Sequence, residues 1–436
     1  MEKRLRIETW GCQMNLHQSE GIAGVMTHAG YRIVDTLEDA DVVLFNGCVV
    51  RQKAEEKVYG RIGAVMEEKR RRPVILGVGG CLGQVRGERL LDRFPAIDFV
   101  FGSQGHDALP GMIAELEAGG RRRADLPDPT GIDEVPMRRT GTVTGMVTIS
   151  EGCSNFCSYC VVPYARGPMR SRPSDRILAE VEALVDDGYA EVLLLGQNVN
   201  SYGTDRASFG SFVDLLERIA STGIRRIRFT SSHPRDMDPR VFELMAARDN
   251  VCNHVHLACQ SGSTRVLRAM NRAYAREDFL RIVETGRSIV PRLNVTTDLI
   301  VGFPGETEGD FEDTLSLLDE ARFGTVFAAK YSPRPLAAAS RLADDVSEEV
   351  KNERLQCLLD RQRKIALEEN ERFVGEEVDV LIEGTARNGA SYGRADDHRT
   401  VLADGWIRAG EMVKMRIGAA SAAALSGVAP VLEGTG

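Results

Sequence analysis

The chain has 436 residues, of which 43% are hydrophobic and 27% charged, and its formal net charge is −9. At roughly 100–200 residues per domain, this length predicts two to four domains with hydrophobic cores, and a large soluble enzyme is the default class. The acidic balance argues against a protein that coats nucleic acid by electrostatics alone. No long apolar segment opens the sequence or could span a bilayer, so we expect a cytoplasmic protein without membrane contact.

The front of the chain alternates between strand and helix patterns. From residue 5 to about 118, apolar runs such as DVVLFN and PVILGVGG alternate with helical stretches such as AEEKVYGRIGAVMEEKRR. This alternation predicts a parallel α/β domain of the flavodoxin-like kind over residues 1–118.

Nine cysteines, an odd number in a reducing compartment, do not indicate a disulfide framework. Three of them, Cys12, Cys48 and Cys81, directly follow predicted strands of the front domain. Because open α/β sheets bind ligands at the carboxyl ends of their strands, we expect these thiols to form one site. The isolated cysteines are expected to be small apolar residues: Cys252, Cys259 and Cys357.

Residues 119–142 carry glycine, proline and charge without periodicity, and they are predicted to form a linker. The α/β pattern then resumes with six strand candidates separated by helical stretches. Six such repeats predict a partial (β/α)6 barrel in a domain over residues 143–371, which ends in a charged helix. The strand candidates are GMVTIS, EVLLLG, RIRFTSS, HVHLAC, NVTTDLIVGF and TVFAAKYS.

The C-terminal region, residues 372–436, has short alternating strands with glycine-rich turns. This pattern predicts a small antiparallel β-barrel of the OB-like kind. Such barrels often bind oligonucleotides, but the acidic residues of this region match or outnumber the basic ones. Its charge alone therefore does not predict nucleic-acid binding.

The stretch EGCSNFCSYC places Cys153, Cys157 and Cys160 directly after the first barrel strand. Zinc would need a fourth ligand, and no histidine lies between residues 107 and 232. A redox CxxC pair would leave Cys153 without a task. A 4Fe-4S cluster with one open iron would use all three thiols, and we favour it because the first barrel loop is a useful place for such a cluster.

The CxxxCxxC spacing, with Tyr159 before its last cysteine on this loop, resembles the radical S-adenosylmethionine (SAM) signature. The resemblance covers nearly the whole chain: TWGCQMN, FNGC and GVGGC resemble the N-terminal domain of radical SAM methylthiotransferases, and the C-terminal region resembles their TRAM domain. Within this family, ISEGCSNFCSYCVVPYARG, LLGQNVNSYG and SSHP resemble the MiaB branch.

The resemblance implies SAM and two 4Fe-4S clusters as cofactors. Cys153, Cys157 and Cys160 would hold the SAM-binding cluster, and Cys12, Cys48 and Cys81 an auxiliary cluster. The implied activity is methylthiolation of C2 of N6-isopentenyladenosine at position 37 of tRNA, in which one SAM gives the methyl group and a second gives the 5′-deoxyadenosyl radical. No catalytic residue beyond the cluster ligands is implied.

Contacts to SAM are expected from residues near the cluster and at strand ends, where barrel enzymes keep functional groups. GFPGE at 302–306 resembles a SAM-adenine contact of the superfamily. The expected SAM contacts are Tyr159, Gly196, Gln197, Asn198, Ser231, Gln260 and Asp298.

The implied partners are the anticodon stem-loop of tRNA and an electron donor such as flavodoxin, and we expect a monomer. The sequence does not indicate the sulfur donor. Alternative substrates are threonylcarbamoyl-adenosine in tRNA and an aspartate of a ribosomal protein. An alternative of another class is a non-enzymatic iron–sulfur carrier or RNA-binding module.

Several positions depart from the family pattern. Gly47 and Gln52 stand where threonine and an acidic residue are usual, and HLACQSGS replaces HLPVQSGS. YSPRPLAAAS replaces YSPRPGTPAA, so a glycine and a proline are lost within Leu336–Ser340. This loss predicts a changed turn and changed local substrate contacts. None of these departures removes a predicted cluster ligand.

Overall fold

A computed structural model gives the fold and describes residues 2–129 and 131–428. The chain divides into two compact units. The first comprises Met1–Thr140, Ser150–Arg172 and Ser332–Ser340, and the second comprises Gly141–Ile149, Pro173–Tyr331 and Arg341–Gly436. Residues 429–436 of the predicted C-terminal domain lie outside the described part. Within that part, no helix combines the length and apolar character needed to cross a membrane.

The first unit is built on a six-stranded parallel sheet. Its strands are β1 (Lys3–Trp10), β2 (Tyr31–Ile33), β3 (Val42–Gly47), β4 (Ile75–Gly79), β5 (Phe99–Phe101) and β6 (Arg123–Asp125). Their order is β2-β1-β3-β4-β5-β6. This is the flavodoxin-like order extended by one strand, and it confirms the predicted parallel α/β domain. Every residue of the central strand β3 is buried, as expected for a parallel strand covered on both faces.

Helices cover both faces of this sheet. They are α1 (Gln13–His28), α2 (Gln52–Lys69), α3 (Gly80–Arg86), α4 (Glu88–Arg93) and α5 (Leu109–Glu117). α1 and α5 bury Ile22 and Ile113 in one apolar cluster, whereas α2 and α4 bury Val58 and Leu90 in another. Each buried side chain of this size stabilises the fold by about 1.5–3 kcal/mol.

The segment predicted as a linker has structure of its own. β6 lies within it and pairs in parallel with β5 at the edge of the sheet. Further along, the backbone N–H of Arg138 donates to the carbonyl of Glu20 at 3.0 Å, so this part of the segment lies against α1. A three-residue edge strand is too short to give a periodic signal, which explains why the sequence did not predict it.

The chain changes from one unit to the other before and after the CxxxCxxC stretch. β7 (Thr144–Thr148) belongs to the second unit, whereas β8 (Ser150–Glu151), α6 (Val162–Arg166) and β9 (Arg170–Ser171) belong to the first. β8 and β9 pair antiparallel, so the cysteine loop and α6 lie between the two strands of a short ribbon.

The second unit carries the six predicted barrel strands. After β7 they are β10 (Glu191–Leu195), β11 (Arg226–Phe229), β12 (His254–His256), β13 (Asn294–Val301) and β14 (Thr325–Lys330). They form two parallel sheets, β7-β10-β11 and β12-β13-β14, which a parallel bridge between Ser232 and Leu257 joins. Among the described strands, β14 does not pair with β7, so the predicted partial (β/α)6 barrel is confirmed and is open.

Helices surround the open barrel. They are α7 (Ser174–Asp186), α8 (Phe212–Ala220), α9 (Arg240–Ala247), α10 (Thr264–Ala269), α11 (Arg276–Ile289), α12 (Glu308–Ala321) and α13 (Glu348–Glu371). Large side chains such as Phe229, Phe242 and Phe279 are almost completely buried between the helices and the strands. α13 is the charged helix that the sequence predicts.

The C-terminal region forms a closed five-stranded barrel. Its strands are β15 (Glu377–Thr385), β16 (Ser391–Ala395), β17 (Thr400–Ala403), β18 (Met412–Ala420) and β19 (Leu425–Val428). Their order is β15-β16-β17-β19-β18. The expected OB-like barrel is confirmed, with one correction: β17 and β19 pair in parallel, because β19 inserts between β17 and β18.

This small barrel packs against the amino ends of the central strands. Arg226, the first residue of β11, donates from Nη1 to the Arg394 carbonyl at 2.6 Å. Asn294, the first residue of β13, donates to the Asp397 carbonyl at 2.7 Å. The carboxyl ends of these strands, where barrel enzymes place their chemistry, are at the other end of the strands.

Candidate functional site

The three cysteines of the front domain follow neighbouring parallel strands. Cys12 lies between β1 and α1, Cys48 directly follows β3, and Cys81 is the second residue of α3, after β4. Since β1, β3 and β4 are adjacent in the sheet, the structure brings these residues to one edge. Cys48 and Cys81 are buried, and Cys12 is partly exposed.

Glycines allow the three cysteine segments to approach one another. A Cβ atom on Gly11 would lie 2.9 Å from the Cβ atom of Cys48 and would overlap the side chain of Asn15. Gly80 has φ +73°, and a Cβ atom there would overlap Oδ1 of Asn46. Both positions therefore require glycine, one for space and the other also for its backbone conformation.

Two asparagines hold these segments together. Asn46 is fully buried, and its Nδ2 donates to the Asn15 carbonyl at 2.9 Å and to the Ser19 hydroxyl at 3.0 Å. Its Oδ1 accepts from Asn15 Nδ2 at 3.1 Å. Asn15 Oδ1 in turn accepts from the backbone N–H of Cys12 at 3.3 Å. This network fixes the positions from which Cys12 and Cys48 project.

A buried arginine from α6 reaches the same edge. Arg166 is 3% exposed; its Nε donates to Cys81 Sγ at 3.2 Å, and its Nη2 donates to Gln18 Oε1 at 3.0 Å. Nη1 lies 3.8 Å from Glu151 Oε1 and makes no hydrogen bond. Since Arg166 and Glu151 flank the CxxxCxxC stretch, they tie that stretch to Cys81 within the first unit.

The thiols influence one another electrostatically. Burial raises the pKa of Cys48, and the neighbouring Cys12 raises it further. Burial also raises the pKa of Cys81 to about 11, although the positive charge of Arg166 acts in the opposite direction. Burial lowers the pKa of Arg166, but Cys81 and Glu151 outweigh this and raise it overall. The buried guanidinium is therefore charged and favours a negative group beside Cys81.

This donor set fits the implied auxiliary cluster. It offers three thiols, of which Cys48 and Cys12 are close enough to raise the pKa of Cys81, and the orphaned Nη1 of Arg166 supplies a further donor. The described residues contain no group of three or more His, Cys, Asp or Glu side chains that could hold a metal ion directly. In a Cys-ligated iron–sulfur cluster, by contrast, each thiolate binds its own iron.

The CxxxCxxC loop is closed by its own backbone. The N–H of Cys153 donates to the Gly167 carbonyl at 3.1 Å, and the N–H of Cys160 donates to the Cys157 carbonyl at 2.9 Å. Gly152 has φ +78°, and a Cβ atom there would lie 2.6 Å from the Gly167 carbonyl. Cys157 is buried, whereas Cys153 and Cys160 are partly exposed.

Tyr159 lies in this loop. Its neighbour Ser158 contacts Leu336–Ser340, the segment that departs from the family pattern. The N–H of Ala339 donates to the Ser158 carbonyl at 2.7 Å. In the same segment Leu336 has φ 70° and is 53% exposed. A leucine thus occupies the left-handed conformation that a glycine would adopt without strain.

The other expected SAM contacts belong to the second unit. Gly196, Gln197 and Asn198 follow β10 directly. Asn198 is buried, donates to Asp236 Oδ2 at 2.6 Å and accepts from the N–H of His233 at 3.3 Å. Its amide therefore ties the loop after β10 to the loop after β11.

Ser231 and Gln260 follow β11 and β12 and have positive φ angles of 65° and 79°. Such strained backbone at strand ends is typical of functional sites. The prediction that Asp298 lies at a strand end is wrong, because Asp298 is the fifth of the eight residues of β13. Its Oδ2 accepts from His256 Nε2 at 2.9 Å, while its carbonyl accepts from the Gln260 N–H at 2.8 Å.

Sequence reasoning missed the residues that surround the front cysteines. Asn15, Gln18 and Asn46 are polar but buried, and nothing in a local pattern shows burial. Arg166 follows the cysteine loop in the sequence, but its burial and its contact with Cys81 leave no local pattern. A sequence signal did exist for Asn15 and Asn46, since each lies within three residues of a predicted ligand at a strand end.

Two family models match the chain. Residues 147–318 match the radical SAM superfamily, and residues 4–102 match the uncharacterized protein family UPF0004. The radical SAM methyltransferase TsrM from Kitasatospora setae has a TM-score of 0.60 at 15% identity over 78% of this chain and 75% of its own. The cobalamin-dependent SAM radical enzyme OxsB has a TM-score of 0.51 at 11% identity over 83% of this chain and 56% of its own. These structures share the fold of this chain. The match over residues 147–318 is the observation that makes the chain similar to radical SAM proteins.

Curated relatives resemble the chain over nearly its whole length. The tRNA-2-methylthio-N(6)-dimethylallyladenosine synthase of Geotalea uraniireducens (strain Rf4) is 46% identical over 92% of this chain and 92% of its own length. Proteins of the same name from Pelotomaculum thermopropionicum and Geobacter metallireducens are 42% and 44% identical over 98% and 95% of this chain, and over 97% and 96% of their own lengths. The chain belongs to this family of tRNA-2-methylthio-N(6)-dimethylallyladenosine synthases, which confirms the resemblance to the radical SAM methylthiotransferases.

Proposed function

We propose that this enzyme methylthiolates C2 of N6-isopentenyladenosine at position 37 of tRNA. The observation that carries the proposal is the identity of 42–46% to synthases of this modification over at least 92% of the chain. Two sets of three cysteines in the first unit support the proposal. One set follows three neighbouring strands of the front sheet, and the other lies on the first barrel loop. The relatives' names do not favour the alternative substrates.

The two cysteine sets would hold different clusters. Cys153, Cys157 and Cys160 would hold the SAM-binding 4Fe-4S cluster, and Cys12, Cys48 and Cys81 the auxiliary one. When bound, the clusters and SAM supply electrons, sulfur, a methyl group and a radical that can attack an unactivated aromatic C–H bond. A general base would not help at such a bond, which has no acidic proton.

The chain's own side chains would position these groups. Arg166 presents a charged guanidinium to Cys81 in a site that excludes water, where a positive charge stabilises negative sulfur ligands most strongly. Asn46 and Asn15 keep the loops before Cys12 and Cys48 in register. Ser231 and Gln260 present backbone in strained conformations at the carboxyl ends of the barrel strands.

Further assignments complete the proposal. The partner on tRNA would be the anticodon stem-loop, and the electron donor would be a flavodoxin-like protein. The enzyme would act in the cytoplasm as a monomer. The SAM contacts would include Tyr159, Gly196, Gln197 and Asn198 in addition to Ser231, Gln260 and Asp298. The proposed domain bounds are 1–118, 119–142, 143–371 and 372–436.

The test separates the two cysteine sets by their readouts. Anaerobically reconstituted Cys157→Ala enzyme should no longer cleave SAM, whereas Cys48→Ala enzyme should cleave SAM but leave tRNA without the methylthio group. Cys357→Ala is the matched control, because Cys357 is exposed on α13 and should be dispensable for both steps. Normal methylthiolation by Cys48→Ala enzyme would refute the two-cluster assignment.

A further inference from the structure

A cavity of about 330 Å³ in the second unit is lined with arginines. It lies where the ends of α11, α12 and α13 meet the start of β13 and the C-terminal barrel. Five guanidinium groups and two carboxylates, Glu369 and Glu376, form its charged wall. The five arginines are Arg287, Arg292, Arg322, Arg372 and Arg399.

The carboxylates of the wall do not match the guanidinium groups one to one. Arg292 Nη2 pairs with Glu376 Oε2 at 2.9 Å, and both side chains are about half exposed. Arg322 and Arg372 share Glu369, which is 13% exposed. Two carboxylates outside the wall also form ion pairs with it: Glu368 pairs with Arg322, and Asp397 pairs with Arg399.

Arg287 is the arginine without an acidic partner. Among the described residues, no carboxylate lies within ion-pair distance of it, and its Nη2 donates to the Arg322 carbonyl at 3.1 Å. Burial lowers the pKa of Arg287, and although Glu369 opposes this, the neighbouring guanidinium groups, Arg322 first among them, add to the lowering. An anion in the cavity would relieve that repulsion.

The guanidinium groups are held in place before any ligand arrives. Arg399 lies 4.5 Å and Arg292 lies 5.7 Å from the ring centre of Phe373. Arg399 Nε also donates to Asn370 Oδ1 at 2.8 Å. Side chains that are already ordered lose little entropy when they bind a ligand.

The cavity is separate from the expected SAM contacts. Asn294 in its wall is the first residue of β13, and Arg322 ends α12 shortly before β14 begins. It therefore lies at the amino ends of the strands, whereas Ser231 and Gln260 lie at the carboxyl ends.

We propose that this arginine cavity binds a phosphate group. Guanidinium is planar and can give two parallel hydrogen bonds to one phosphate, which suits arginine better than lysine to this task. On the proposed function, on which this choice of ligand rests, the phosphodiester backbone of the tRNA is one source. A free phosphate compound offers the same chemistry.

The first arm of the test measures the site alone. Full-length protein is titrated with inorganic pyrophosphate at constant ionic strength, and heat release and melting temperature are recorded against chloride. Wild type should bind and be stabilised, and Arg287→Gln should lose most of this effect. Arg281→Gln is the matched control, because Arg281 lies on the same helix, is 69% exposed and pairs with Asp278. Equal binding by wild type and Arg287→Gln would overturn the proposal.

A second variant covers the case in which Arg287→Gln does not fold. Arg372 is 66% exposed, so Arg372→Gln should fold normally and still weaken pyrophosphate binding severalfold. If Arg372→Gln folds and binds pyrophosphate as tightly as wild type, the cavity is not the phosphate site.

The second arm identifies the source of the phosphate. Binding of an anticodon stem-loop RNA is measured against salt concentration for wild type, Arg287→Gln and Arg281→Gln. One lost RNA phosphate contact should reduce the salt slope by about one, and pyrophosphate should compete with the RNA. An unchanged slope with lost pyrophosphate binding would support a free phosphate ligand instead.

These readouts do not depend on catalysis. A chain that binds pyrophosphate in the cavity but never methylthiolates tRNA would refute the proposed function and leave the phosphate site standing. A chain that methylthiolates tRNA, yet binds neither pyrophosphate nor RNA through Arg287, would do the reverse.

Discussion

Replacing Arg166 by methionine tests the electrostatic construction around Cys81. The substitution removes a charged group that is 3% exposed and deletes its hydrogen bonds to Cys81 at 3.2 Å and to Gln18 at 3.0 Å. It also removes one of the cations near Glu151, which keeps Arg170 at 3.8 Å and Gln104 at 3.1 Å. Methionine fills similar space, so the cost is mainly electrostatic.

The magnitude follows from these contacts. Breaking a buried charge pair by removing one partner costs about 3–5 kcal/mol, and leaving a buried amide oxygen such as Gln18 Oε1 unpaired costs about 1–3 kcal/mol. Because Glu151 keeps two partners, we expect a total loss of about 3–5 kcal/mol in the free energy of unfolding of the first unit. Arg166→Lys keeps the charge but cannot give the same fork of hydrogen bonds, so it should lose less.

The assay is urea unfolding of the metal-free protein under anaerobic, reducing conditions. Arg70→Met is the control, because Arg70 is 66% exposed and its ion pair with Glu67 should contribute less than about 1 kcal/mol. After reconstitution, the auxiliary cluster of Arg166→Met should have a more negative reduction potential, since hydrogen bonds to its sulfur ligands are lost. An unfolding midpoint and a potential both equal to wild type would refute this reasoning.

Three more predictions concern other parts of the chain. Leu336→Gly should raise the free energy of unfolding in urea by up to about 1 kcal/mol, because relief of the left-handed strain exceeds the entropic cost of glycine. Leu336→Ala should not raise this free energy, because alanine keeps the strain. Asn46→Ala should cost about 2–4 kcal/mol and lower the iron content at the auxiliary site, because three hydrogen bonds are lost, two of them buried. Unchanged iron content and stability would contradict the role of its network with Asn15. Burial raises the pKa of Asp310, but hydrogen bonds, the one from Arg265 first, outweigh burial and lower the pKa overall. The difference in unfolding free energy between wild type and Asp310→Asn should therefore be largest at pH 7 and shrink as the pH falls below about 4. A difference that does not depend on pH would contradict this.

The sequence was most informative where a pattern repeats. All six barrel strands were predicted, because strand and helix patterns alternate repeatedly and the repetition supports each member. The front cysteines were placed at strand ends for the same reason. The three-residue strand β6 and the parallel pair β17 and β19 were not predictable, because a very short strand has no period and pairing direction leaves no local trace.

The surroundings of the candidate site depend on contacts between distant residues. Arg166 and Cys81 are 85 positions apart, and their hydrogen bond is a property of the folded first unit. The position of Asp298 was predicted wrongly, because NVTTDLIVGF mixes polar and apolar residues and does not show where β13 begins and ends. Leu336 shows another limit, since the sequence indicated a changed turn but not that leucine would take a left-handed conformation.

The proposed function requires six cysteines to hold two separate iron–sulfur clusters. The most direct test is the iron and sulfide content after anaerobic reconstitution, in wild type and in the variant with Cys153, Cys157 and Cys160 all replaced by alanine. With two 4Fe-4S clusters, we expect about eight irons per chain in wild type and about four in the variant. About four irons falling to none would contradict it, because Cys12, Cys48 and Cys81 would then hold no cluster.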